Sequence, residues 1–337
     1  MNIKKERVKK ALKFQETDFV PYHIDFTQPA YNKLAKYYKD ENFVDKIDNH
    51  FAIVKTRHLA PWKELENDRW QDEWGVIWNR SIDKDIGTVE NCVLPEPTLK
   101  NYVFPDPYSN DRFNGYKDFV EKNKDMFLVN AIGFSLFERA WTLRGMENLL
   151  MDMVLNPIFV EELLDRIVEY NLGIIEQAIK YDIDACYFGD DWGQQNGLIM
   201  GPDLWRKFIK PKIKKMYDRV HNANLAVMIH SCGDIKEIIP DLIEVGVNVL
   251  NPFQPEVMDV YEIKKKYGKH LAFWGGLSTQ KILPYATPEK VKEESKRLIN
   301  EIGKNGGYIF APAHAVPKDV PLENLIALLE IVQNQKT

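Results

Sequence analysis

The chain has 337 residues, 45% hydrophobic and 12% aromatic, enough to bury a large core in one big domain or two smaller ones. A formal net charge of −5 leaves no basic stripe for a phosphate backbone, which argues against nucleic acid as a partner. No apolar run reaches the length of a membrane span, and the start, MNIKKERVKKALKFQ, is basic without the apolar core of a secretory signal, so a cytoplasmic location is expected.

The N-terminal stretch has the apolar spacing of an amphipathic helix, and VPYHIDF (20–26) then reads as a first short strand. Residues 50–105 are harder to read: a barrel strand has to lie within them, but RWQDEWGVIWNRSID looks like a hairpin insertion in which Trp74 and Trp78 are core. MFLVNAIGFS (126–135) is the next clear strand. IDACYFGDDWG (183–193), LAVMIHSCG (225–233), VNVLNPFQP (247–255), LAFWGGLS (271–278) and GYIFAPAHAV (307–316) follow at regular intervals. Helical periodicity fills the gaps, among them MENLLMDMVL, FVEELLDRIVEYNLGIIEQAIKY and PDLWRKFIKPKIKKMYDRVHN. Such alternation is the signature of βα units. With no linker, repeat or low-complexity tract, the expectation is a single-domain (β/α)8 TIM barrel over residues 1–337, with an N-terminal helix and the insertion within 50–105. The first strand lacks the glycine-rich turn of dinucleotide binders, which weakens the case for an open doubly wound sheet.

Chemistry in such a barrel gathers where the strands end. Tyr22, His23, Asp25 and Phe26 stand there, then Glu138, then Asp190, Asp191, Trp192 and Gln195, then His230 and Cys232, then Asn251 and Gln254, Trp274 and His314. Cys92, Cys186 and Cys232 are odd in number and scattered, which suggests reduced thiols, so a special cysteine would be a ligand or a nucleophile. A strand points residues two apart to the same face, so His230 and Cys232 can bite one zinc, with His314 as third ligand and a fourth position for water or substrate. The plainer account makes Cys232 a small buried hydrophobe and both histidines hydrogen-bonded fillers. Asp190 and Asp191 are candidate acid–base groups, set against helix capping and turn chemistry. Glu138 and Arg139 are equally readable as an ion pair holding a loop.

Four stretches carry a resemblance over nearly the full length: RVKKALKFQETDFVP, GDDWGQQNGLIMGPDLWRKFIKPKIKKM, HSCGDIKEIIPDLIEVGVNVLNPFQPE and HAVPKDVPLENL. The chain resembles the uroporphyrinogen decarboxylase superfamily and, within it, the cobalamin-dependent methyltransferases, which implies a TIM barrel. The decarboxylases proper grip substrate carboxylates with an arginine-rich N-terminal motif, whereas HIDFTQPAYNKL has no arginine. Relatives acting on coenzyme M share His-x-Cys but take their last ligand from a cysteine where this chain has His314. One thiolate with two imidazoles leaves Zn2+ with net positive charge, a stronger Lewis acid. The expected function is therefore O-demethylation, passing a methyl group from a methoxylated, aromatic ether to the Co(I) of a separate corrinoid protein. Zinc would polarise the ether oxygen, and Asp190 or Asp191 would complete its shell or donate a proton. Tyr22, His23, Asp25, Phe26, Glu138, Trp192, Gln195, Asn251 and Trp274 would contact the substrate. The alternatives are methyl transfer from methylcobalamin to a thiol or pterin, a metal-free decarboxylase-like lyase, and a noncatalytic binding barrel.

Overall fold

The computed structural model describes residues 3–55 and 62–335; residues 56–61, part of the segment expected to bear the insertion, lie outside them. The strands are β1 (Phe51–Lys55), β2 (Lys63–Glu64), β3 (Arg69–Gln71), β4 (Ile77–Asn79), β5 (Thr88–Val89), β6 (Phe127–Ile132), β7 (Ala185–Gly189), β8 (Gly193–Gln194), β9 (Gly197–Leu198), β10 (Ala226–His230), β11 (Val249–Phe253), β12 (Ala272–Leu277) and β13 (Tyr308–Pro312). The first helices are α1 (Ile3–Leu12), α2 (Gln28–Tyr38), α3 (Tyr116–Lys122), α4 (Phe137–Arg144), α5 (Met146–Leu155) and α6 (Pro157–Ala178). Contacts gather the chain into two compact units, one of Met1–Ala52, Asn123–Phe127 and Asn248–Thr337, the other of Ile53–Lys122 and Leu128–Val247.

In the first unit β11, β12 and β13 are parallel neighbours in that order. All their residues are buried, as near-continuous apolar strands with both faces covered require. VPYHIDF does not become a regular strand. It makes two isolated parallel bridges, Tyr22 to Phe310 and Phe26 to Val316. Pro21, which has no N–H to give, still accepts from Phe310 N–H at 2.8 Å. On its other side the His50 N–H donates to the Tyr22 carbonyl at 3.1 Å, and Phe127 N–H to the His50 carbonyl at 3.1 Å. The strand sought within 50–105 is β1, sequence FAIVK, which follows His50 directly. Helix Pro288–Glu301 opens on Thr287, whose side chain accepts the Lys290 N–H, and helix Val260–Tyr267 opens on Asp259 in the same way.

In the second unit β6, β7 and β10 are parallel neighbours, with Val129 opposite Ala185 and Ala185 opposite Ala226. This register levels Gly189 with His230, so the loops leaving β7 and β10 start side by side. The insertion is a four-stranded antiparallel sheet, β2-β3-β4-β5, larger than the hairpin expected. Trp74 and Trp78 are buried, as expected. Asp72 organises them: its carboxylate accepts from the backbone N–H groups of Trp74 and Val76, from Trp78 Nε1 and from Arg139. Arg139 is thus paired with Asp72 of the insertion and not with its neighbour Glu138. The single helix expected over 202–222 is three pieces, Gly201–Leu204, a π-helical turn Trp205–Ile209 and Lys210–His221. Pro211 explains the break, since it cannot donate the bond that a regular helix would make there. Among the described residues no helix is long and apolar enough to cross a membrane.

Candidate functional site

His230 is the last residue of β10, and two residues on the Cys232 Sγ lies 3.3 Å from its Nε2. A tetrahedral zinc bound to one thiolate and one imidazole would set those atoms about 3.6 Å apart. A soft sulfur beside an imidazole nitrogen is also the donor chemistry that zinc selects. The pair therefore fits the ion. Asp191, from the loop after β7, accepts the Cys232 N–H through Oδ1 at 2.8 Å and stands 3.7 Å from His230 Nε2. Burial, and then the negative charges of Asp191 and Glu138, push the Cys232 thiol well above its ordinary range.

Backbone hydrogen bonds zip the two loops together. Asp190 N–H donates to the His230 carbonyl at 2.9 Å, Gly193 N–H to the Cys232 carbonyl at 3.2 Å and Asp234 N–H to the Gln194 carbonyl at 2.8 Å. Trp192 N–H donates to Ser231 Oγ at 2.9 Å. The approach is so close that a Cβ on Gly193 would sit 2.6 Å from the Cys232 carbonyl oxygen, and one on Gly233 only 2.3 Å from Gly193 C. Ser231, Gly193 and Gly233, which tie these two loops together, were not among the expected site residues. The signal available was a glycine directly following each polar motif, GDDWG and HSCG.

Asp190 is placed differently from an acid–base group. It is 1% exposed, and its oxygens accept from the N–H groups of Leu136, Phe137 and Glu138 and from Trp192 Nε1. Burial raises its carboxyl to about 6 while those four donors pull the other way. Asp190 caps the first turn of α4 from the neighbouring strand end, and so fixes the position of Glu138 in that turn. Trp192 is equally buried and meets Trp205 edge-on at 5.4 Å, so it packs the core and does not wall a substrate. Gln195 is exposed between β8 and β9.

In the first unit His23 stacks on Phe51 with ring centroids 4.2 Å apart, and Trp274 meets both rings edge-on at 5.5 and 4.9 Å. Asn251 donates through Nδ2 to the Trp274 carbonyl at 3.0 Å. His23 and Trp274 therefore share one aromatic cluster with Phe51, and Asn251 is tied to it through the Trp274 carbonyl. Tyr22 does not join it: buried, it donates to the Ile47 carbonyl at 2.7 Å and packs edge-on against His50, because alternation turns it away from His23. Phe26 packs against Phe43, and the exposed Asp25 accepts the Phe26 N–H through its own side chain. His314 is exposed, two residues past β13.

Residues 90–335 match the family model described as uroporphyrinogen decarboxylase (URO-D). The chain belongs to the uroporphyrinogen decarboxylase family. It is 24% identical over 361 residues, 99% of this chain and 98% of the relative, to a uroporphyrinogen decarboxylase of Chlorobaculum parvum. It is 25% identical over 170 residues, 50% of this chain and 47% of the relative, to the methylcobamide:CoM methyltransferase MtaA of Methanosarcina barkeri. A solved methyltransferase from Methanosarcina mazei superposes with a TM-score of 0.72 at 17% identity, covering 99% of both chains. That likeness shows the fold to be the α/β, (β/α)8 class expected. By name these relatives are all enzymes.

Proposed function

We propose that this member of the family is a zinc-dependent methyltransferase that moves a methyl group from a methoxylated aromatic substrate to the Co(I) of a separate corrinoid protein. The observation that carries the reading is the donor pair: Cys232 Sγ lies 3.3 Å from His230 Nε2, close to the spacing that one zinc ion bound to both would set. In this reading His230, Cys232 and His314 hold the metal, which when bound supplies Lewis acidity toward an ether oxygen. Asp191 holds the Cys232 loop by accepting its N–H, and its other carboxylate oxygen is left to orient a polar group of the substrate. Glu138 is oriented by the Asp190 cap and adds negative charge near the sulfur. His23, Phe51 and Trp274 offer aromatic surface for a ring. The lack of arginine in HIDFTQPAYNKL supports methyl transfer over decarboxylation of a polycarboxylate, since no guanidinium there would meet the carboxylates and its lysine, Lys33, donates instead to the Lys318 and Val320 carbonyls. Reduced thiols suit a cytoplasmic setting.

The name of the Methanosarcina barkeri relative favours a second reading, transfer from a methylated corrinoid to a thiol. One experiment separates the two. Zinc-loaded protein is given reduced corrinoid protein and a panel of phenyl methyl ethers, and the absorbance change from Co(I) to methyl-Co(III) is followed; demethylation of a methylated corrinoid by added thiols is measured in parallel. Methylation of cobalt by at least one ether is the expected result. Failure across the panel, with turnover of a thiol or a porphyrinogen instead, refutes the proposal.

A further inference from the structure

The four-stranded insertion has no part in the metal centre, yet it reaches a residue at the end of β6. Phe134, two residues past that strand, has φ 51°, a left-handed conformation unfavourable to any side chain with a Cβ. Contacts from the insertion and from α4 hold the ring in place. Trp78 of β4 meets it edge-on with centroids 5.0 Å apart, and the Arg139 guanidinium carbon lies 5.6 Å from its centroid. Both holders are fixed by one buried carboxylate oxygen, Asp72 Oδ2, to which Trp78 Nε1 donates at 3.1 Å and Arg139 Nη1 at 2.8 Å. Arg139 also lies 5.0 Å from the centroid of Trp74. Phe134 itself stays half-buried, while Trp78, Asp72 and Arg139 are buried. The next residue, Ser135, donates its N–H to the Gly189 carbonyl at 2.8 Å, directly before Asp190 and Asp191. A half-buried aromatic ring is thus held, in a costly backbone conformation, at the strand end that adjoins the loop of Asp191. The strands that hold it end at Val89, just before the family match begins at residue 90.

We infer that Phe134 is a specificity-determining residue, the wall against which the aromatic ring of the methyl donor lies, and that the insertion exists to set it. The inference rests on the proposed methyl transfer from an aromatic ether. Offset or edge-on contact with a donor ring is what a half-buried aromatic ring held in one orientation provides. An aliphatic methyl donor gains nothing comparable from it.

The test uses zinc-loaded full-length protein with 2-methoxyphenol as aromatic donor and 2-methoxyethanol as aliphatic donor. Binding of 2-methoxyphenol is measured by calorimetry without the corrinoid protein, and kcat and KM for both donors with it. Phe134→Leu is expected to raise Kd and KM for 2-methoxyphenol about fivefold, leaving kcat and the 2-methoxyethanol values unchanged, while Phe134→Tyr keeps wild-type behaviour. Phe134→Met serves if the leucine variant does not fold; failure of both to fold makes the ring structural and overturns the inference. Unchanged 2-methoxyphenol binding in a folded variant also overturns it, as does equal loss for both donors or a wild type that does not bind 2-methoxyphenol. A wild type that binds 2-methoxyphenol through Phe134 without giving up its methyl group refutes the methyl-transfer reading and leaves the wall standing.

Discussion

Gly233→Ala is the sharpest probe of the proposed metal centre, and Gly201→Ala is its control. Both glycines have left-handed backbones, φ 85° and 74°. Around Gly201 nothing lies within 4 Å of an added Cβ, so its substitution carries backbone strain alone, about 1 kcal/mol. At Gly233 the same strain is joined by contacts at 2.3 Å to Gly193 C, 2.5 Å to Gln194 N and 2.6 Å to Gly193 O, all backbone and unable to swing aside. The loops have to part by more than 1 Å, roughly what restores ordinary van der Waals contact. Parting them breaks the Gly193 N–H bond to Cys232, the Asp234 N–H bond to Gln194 and the Cys232 N–H bond to Asp191. At about 1 kcal/mol each these add about 3 kcal/mol, for a total near ~4 kcal/mol. Urea denaturation of both variants measures the difference, and elemental analysis reads zinc content. Gly233→Ala should lose most of its zinc while Gly201→Ala keeps it. Equal destabilisation of the two with full zinc in Gly233→Ala would refute the argument that close approach of these loops builds the centre.

Cys232→Ala should remove most of the zinc and His314→Ala should weaken its binding, whereas Cys186→Ala, fully buried in β7, should leave zinc content unchanged; equal metal in wild type and Cys232→Ala would show that the His-x-Cys pair is structural. Asp72→Ala leaves the buried Arg139 guanidinium without its carboxylate and should cost about 3–5 kcal/mol in urea denaturation, more than any exposed ion pair of the molecule; a loss below about 1 kcal/mol would contradict the structural weight given to Asp72. His50 is 1% exposed, and burial, followed by the charge of Arg7, lowers its imidazole from 6.5 to about 4. The unfolded chain then takes up a proton in that window that the folded chain refuses, so the stability from neutral His50 is full above about pH 6.5 and lost as pH falls toward about 4, roughly 3 kcal/mol in all. Urea midpoints from pH 7.5 to 4.5 should fall less steeply for His50→Gln than for wild type, and parallel profiles would count against it.

Local pattern alone was enough for the parallel strands from residue 126 onward and most of the helices between them, for the buried character of Trp74 and Trp78, and for bringing His230 and Cys232 to one side of the chain. Each follows from a period of 2.0 or 3.6 residues, which is a property of neighbours in sequence. Tyr22 shows where that reading ends. In VPYHIDF it looks equivalent to His23, but the segment makes only isolated bridges, and the partner Ile47 carbonyl that claims the Tyr22 hydroxyl is not encoded near it. Asp190 and Asp191 are adjacent in sequence yet take opposite fates, one sealed beneath the first turn of α4 and the other facing Cys232. What separates them is the parallel register that sets Gly189 level with His230, together with two glycines able to let backbones touch. The Asp72–Arg139 pair and the ring of Phe134 are decided in the same way, between segments about 60 residues apart. Only tertiary structure settles such contacts, because register and close approach are chosen by packing free energy summed over the whole core, and no local periodicity carries that sum.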